Sequence, residues 1–123
     1  MAHKILIIDD DKINTAIVRL PLAEARYDIS VAHDGDAGLA LVKEIYPDLI
    51  ILDVYMPKMN GYEFMQELKT VKEGYFPDVI MLTANETLEA EFKLEGVKGY
   101  FVKPVEHEPL LKKIVECLGP NSI

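Results

Sequence analysis

Cysteine, basic charge and long apolar runs are what this chain of 123 residues has least of. Its single cysteine, Cys117, rules out an internal disulfide and fits a reducing compartment. Thirteen Lys and Arg stand against 21 Asp and Glu, a formal net charge of −8. That deficit argues against nucleic-acid binding through a basic face and against docking on an anionic membrane. No apolar run approaches the roughly 20 residues that cross a bilayer. The N-terminal "MAHK" also lacks a signal peptide's apolar core. A cytoplasmic location is expected. With 50% hydrophobic and 28% charged residues, the chain reads as globular. Its length suits a single domain, read as spanning residues 1–123 with no output module, since only "GPNSI" follows Leu118.

Short runs rich in β-branched residues alternate with segments of helical period. The runs Ile5–Ile8, Ile29–Ala32, Leu49–Leu52, Val79–Leu82 and Tyr100–Val102 read as strands. Three of them are apolar at every position, as in a parallel sheet covered on both faces. Helical faces are read at Ile13, Ala16, Ile17 and Leu20; at Gly38, Leu41, Val42 and Ile45; and at Phe64, Met65, Leu68 and Val71. A last face carries Leu110, Leu111, Ile114, Val115 and Leu118. The segment Glu86–Leu94, with Leu88 and Phe92 among glutamates, predicts a short, exposed helix. Pro21 falls inside the first helix, where a proline typically costs about 3 kcal/mol, and a kink is expected near Ile17.

Strict β then α alternation implies right-handed crossovers and an open, doubly wound α/β sheet. Ligands of such sheets sit beyond the carboxyl ends of the strands. Strand one ends in Asp9, Asp10 and Asp11, strand three in Asp53, strand four in Thr83 and strand five in Lys103. Strand two ends in Ala32 and His33 and offers nothing comparable. A carboxylate cluster, a hydroxyl and a lysine thus converge on one edge.

Three neighbouring carboxylates repel one another unless a cation joins them, and Mg2+ takes oxygen ligands of this kind while keeping positions for water and a phosphoryl oxygen. A lysine adds fixed positive charge, and a threonine hydroxyl donates to an anionic oxygen. Together they suit stabilisation of a phosphoryl group in transfer. Asp53, at the end of the central strand, is the best-placed nucleophile for an aspartyl phosphate. Asp11 reads more simply as the cap of the first helix.

The segments "IIDDD", "LDVYMPKMNGYEF", "MLTA" and "GYFVKP", in this order, resemble the response regulator receiver domain of two-component signalling. The resemblance covers essentially the whole chain. It implies a flavodoxin-like (βα)5 fold, a five-stranded parallel sheet in the order 2-1-3-4-5. It implies Asp53 as phosphoacceptor, with Mg2+ or Mn2+ held by Asp10, Asp53 and the Tyr55 backbone carbonyl, and by Asp9 through water. Thr83 and Lys103 would bind the phosphoryl group, Thr83 and Tyr100 would act as switch residues, and Lys103–Pro104 would be a cis peptide. The implied donor is a sensor histidine kinase or a histidine phosphotransfer protein. Downstream, a partner protein, an output domain or a phosphorylation-dependent dimer would read the state.

Two departures from the family pattern stand out. The span from Thr83 to Lys103 is shorter than usual, a shortening that falls in the weak helix, and Tyr55 is bulky for its place two residues after the phosphoacceptor. Tyr55 and Asn85 are read as flanking the pocket mouth and controlling water's access. The rival function is a Mg2+-dependent aspartyl-phosphate phosphohydrolase. The familiar hydrolases of that kind carry a second aspartate where this chain has Tyr55. A silent interaction module on the same fold would normally have lost an acidic residue or the lysine, and all are present. The protein therefore reads as a switch that catalyses only its own phosphorylation and slow dephosphorylation, not as an enzyme acting on external substrates.

Overall fold

The computed structural model describes residues 2–119. Five strands, β1 (Lys4–Ile8), β2 (Asp28–Ala32), β3 (Leu49–Leu52), β4 (Asp78–Thr83) and β5 (Gly99–Val102), alternate with five helices. These are α1 (Lys12–Glu24), α2 (Gly35–Ile45), α3 (Gly61–Leu68), α4 (Glu89–Leu94) and α5 (His107–Leu118). All strand pairings are parallel and the order is β2-β1-β3-β4-β5, as expected. β1 and β3 lie beside each other in the middle, so their carboxyl ends bring Asp9 and Asp53 together.

The unbroken apolar runs are explained by helices on both faces. One core collects Leu6, Ile8, Ile50, Leu52 and Met81 under α2 and α3; the other collects Ile5, Ile7, Ile51, Ile80 and Leu82 under α1 and α5. Each such side chain, fully buried, contributes about 1.5–3 kcal/mol. α2 runs so close to β1 that a methyl group at Gly38 would sit 2.6 Å from the Ile8 Cδ1 atom.

α1 departs from expectation. It buries Thr15, Val18 and Leu22, whereas Ile13, Ile17 and Leu20 are 74%, 51% and 66% exposed. The helix carries two rival stripes, and its N-terminal contacts choose between them. Asp11 caps it through the amides of Ile13 and Asn14, and the Asn14 side chain donates to Asp9 at 2.9 Å. That anchoring turns Thr15 toward the sheet, where its hydroxyl is satisfied by the Lys12 carbonyl. The helix passes through Pro21 and continues to Glu24. In α2, Leu39 is buried while Leu41 and Ile45 are only partly so, and in α5 Val115 is 43% exposed. Val71 lies beyond the end of α3 but still packs against the core. α4 starts three residues later than Glu86, because the Asn85 side chain accepts from the Thr87 amide and hydroxyl and holds that stretch as a turn.

Candidate functional site

At the carboxyl edge the polar residues are buried, which is the costly arrangement. Asp9, Asp53 and Thr83 are 3%, 6% and 0% exposed, and Asp10 alone of the acidic pair faces solvent. Each position follows from its strand: Asp9 continues β1, Asp53 continues β3 and Thr83 is the last residue of β4. Lys103 follows β5, its amide donating to the Thr83 carbonyl at 2.8 Å. The Lys103–Pro104 peptide is cis.

The Lys103 ammonium lies 2.7 Å from Asp9 Oδ2 and 3.1 Å from Asp53 Oδ2, so one cation bridges two buried carboxylates. Asp9 also accepts from the Asp11 amide and the Asn14 side chain. Asp53 accepts from the Tyr55 amide at 3.3 Å. No buried side-chain nitrogen or oxygen among the described residues lacks a partner.

Burial pushes the Asp53 carboxyl above the ordinary carboxylate range. A hydrogen bond from Thr83 and the charge of Lys103 pull it back, while the Asp9 carboxylate pushes the same way as burial. For Lys103 burial works downward, but the hydrogen bond to Asp9 and the charges of Asp53 and Asp9 outweigh it and leave the ammonium above its usual value.

One carboxylate oxygen each from Asp9, Asp10 and Asp53 lies within 4.8 Å of the others. Such a set of hard oxygen donors fits a small divalent cation, with the Asp10 side opening it to solvent. The donor chemistry therefore matches Mg2+, and Lys103 alone does not neutralise three carboxylates.

Gly61, where α3 begins, backs onto this edge. Its amide donates to the Val54 carbonyl at 2.7 Å, and a methyl group there would meet the Asp53 carbonyl oxygen at 2.9 Å and the Val54 Cα at 3.0 Å. The Asn60–Glu63 capping box starts α3 at that point.

Tyr55 is 57% exposed and its hydroxyl accepts from the Asn85 side-chain amide. The Asn85 backbone amide donates to Thr83 Oγ1 at 3.3 Å, and its carbonyl accepts from the Tyr100 hydroxyl. The Tyr100 ring is partly buried against Phe92, at 6.4 Å between centroids. Tyr55, Thr83, Asn85 and Tyr100 are thus one hydrogen-bonded chain.

Two contacts to Asp9 escaped the sequence reading. Asn14, in the first turn of α1, donates to its side chain, which precedes the helix cap by two residues. The His33 Nδ1 atom lies 3.1 Å from the Asp9 carbonyl, a pairing across strands that no local signal announces.

Comparison with known proteins agrees with this fold. The family model described as "Response regulator receiver domain" matches residues 5–115. The chain is 35% identical over 113 residues to "DNA-binding dual master transcriptional regulator RpaA" of Synechocystis sp., covering 90% of this chain and 47% of that protein. It is 38% identical over 114 residues to "Transcriptional regulatory protein CpxR" of Klebsiella pneumoniae, covering 91% and 47%. The chain spans about half the length of these curated relatives. Among solved structures it resembles the chemotaxis response regulator CheY4 of Vibrio cholerae, with a TM-score of 0.86, 33% identity and coverage of 95% and 99%. A putative response regulator from Chloroflexus aurantiacus superposes with a TM-score of 0.87 at 28% identity, covering 96% and 98%.

Proposed function

The chain belongs to the response regulator receiver domain family, and from that premise we propose that residues 1–123 form one receiver domain with Asp53 as its phosphoacceptor. Response regulators receive phosphoryl groups from histidine kinases, and the family binds Mg2+ at an acidic pocket. The observation that carries the residue assignment is the buried Asp53 carboxylate, paired with the Lys103 ammonium and within 4.8 Å of an oxygen of Asp9 and of Asp10.

In this reading an Asp53 oxygen attacks the phosphorus of a phosphohistidine on a kinase or phosphotransfer protein. The P–N bond breaks, and the donor imidazole leaves with the electron pair and takes up a proton. Asp10, Asp53 and the Tyr55 carbonyl would hold Mg2+ or Mn2+, with Asp9 acting through water; bound there, the cation neutralises charge on the transferring oxygens. Lys103 exchanges its contact with Asp53 for one with the phosphoryl group, and the Thr83 hydroxyl turns toward the same group. Turning Thr83 removes the acceptor of the Asn85 amide, so the Tyr55 and Tyr100 contacts of Asn85 shift with it. The exposed ridge of Ile13, Ile17 and Leu20 on α1, whose N-terminus adjoins the pocket, supports a protein surface as the donor.

The test is chemical. Hydride reduction of an aspartyl phosphate yields homoserine at the modified position, so borohydride treatment after phosphorylation is expected to convert Asp53 alone, located by peptide mass spectrometry. Conversion of Asp9 or Asp10 instead would overturn the assignment. Tyr55 and Asn85 restrict water at the acyl phosphate. Tyr55→Ala is expected to speed dephosphorylation by about threefold to tenfold, about 0.6–1.4 kcal/mol of barrier, read as the decay of phosphoprotein. An unchanged rate removes the gate.

A further inference from the structure

The amino ends of the strands carry a feature that phosphoryl transfer does not use. A groove of about 280 Å³ lies between α3 and the turn after α4, floored by Met65, Leu68 and Val79. Phe76 stands at its rim, 85% exposed. The chain is tied down on either side of it: the Tyr75 side-chain hydroxyl donates to the Pro47 carbonyl at 2.6 Å, and the Asp78 amide donates to the Asp48 carbonyl at 3.2 Å. The phenyl ring is therefore presented outward from an ordered loop, at little further entropic cost.

We propose that Phe76 inserts into this groove on a second copy of the chain, forming a weak two-fold dimer that is indifferent to phosphorylation. A knob beside its own hole is self-complementary, because a two-fold axis passing midway between them lays each knob on the other copy's hole. Charge favours a second copy as the occupant. The groove's charged residues are Lys69 and Lys98 against Asp78 and Glu95, a local sum of zero on a chain of net charge −8. Lys69 and Glu95 already pair at 3.2 Å. Two like-charged copies meet with least repulsion at such a neutral, apolar patch. An aromatic side chain buries about 150–250 Å², so two phenyl rings and their groove walls fall at the weak end of specific interfaces, below about 1,200 Å². The interface is at the sheet edge opposite Asp53, which is why phosphorylation leaves it unchanged.

Sedimentation equilibrium across roughly 10 μM to 1 mM protein tests this, with a dissociation constant expected in the upper part of that range. Phe76→Ser, on the surface, is expected to remain folded and monomeric throughout. Lys98→Glu makes the patch negative and is expected to weaken association at least threefold. Mg2+ with beryllofluoride is expected to leave the wild-type constant within about twofold, a difference of roughly 0.4 kcal/mol. A wild-type chain that stays monomeric at the highest concentration overturns the proposal and leaves the groove to another partner or none. Equal association by Phe76→Ser, or association only with beryllofluoride, overturns it by placing the contact elsewhere.

Discussion

The two ends of the same sheet solve opposite problems with the same strands. At the carboxyl ends, Asp9, Asp53 and Thr83 are buried, and a lysine bridges the two carboxylates. At the amino ends the chain places an apolar groove, an exposed phenylalanine and the edge-to-face pair Tyr46 and Tyr75, with Lys72 over the Tyr46 ring. The first end holds buried charge that a purely structural edge would avoid, since a well-packed apolar replacement for such an ion pair is often neutral or stabilising. The second end shows what this fold builds when no chemistry is required. Their contrast teaches that the carboxylates are held together by the core between the two ends and by Lys103, against their mutual repulsion.

The strongest way to break that contrast is to remove the bridging cation. Lys103→Met leaves Asp9 and Asp53 buried without it, and a loss of about 3–5 kcal/mol in urea denaturation is expected without divalent cation. Mg2+ is expected to restore more of that loss than it adds to the wild type, since it supplies the missing positive charge. Next is Gly61→Ala, whose methyl group would press on the backbone at Asp53 and Val54, neither of which is a flexible side-chain end. It is expected to cost about 1–3 kcal/mol and to weaken Mg2+ binding by calorimetry, because the Asp53 carboxylate moves with its carbonyl.

Asp53→Asn works in the other direction. Burial raises the Asp53 carboxyl, so folding favours its protonated form. The stability it contributes is fully present below the unfolded pKa and is lost as pH rises through the folded one. Near neutral pH the ionised group is a net cost, and Asp53→Asn is expected to stabilise the metal-free protein, read as a higher urea midpoint. That advantage should shrink as pH falls through the Asp53 titration; an advantage that grows on acidification would contradict the sign. At the other end of the sheet, Phe76→Ser is expected to change monomer stability by less than about 0.5 kcal/mol.

How much of this was legible in the sequence differs between the same two ends. The strands and the edge shared by Asp9, Asp53, Thr83 and Lys103 were readable, because apolar runs mark strands and parallel topology places their carboxyl ends side by side, whereas the strand order came from the resemblance to the receiver family. Asp11 read correctly as a cap. The rotation of α1 did not, because Ile13, Ile17 and Leu20 satisfy helical spacing as well as Thr15, Val18 and Leu22 do. The choice goes with contacts at the helix N-terminus, such as Asn14 to Asp9, that helical spacing alone does not specify. The start of α4 was set too early because the Asn85 turn competes with the first helical hydrogen bonds. His33 at the Asp9 carbonyl and the groove beside Phe76 join elements distant in sequence, and no local pattern carries them.

The central claim, that the buried edge exists to phosphorylate Asp53, is tested most directly by intact mass after incubation with acetyl phosphate. Wild type, Asp53→Asn and an EDTA control are compared, each shown folded by circular dichroism. The account predicts a gain of about 80 Da, one phosphoryl group, that requires both Mg2+ and Asp53. The same gain in Asp53→Asn, or in the presence of EDTA, would contradict it.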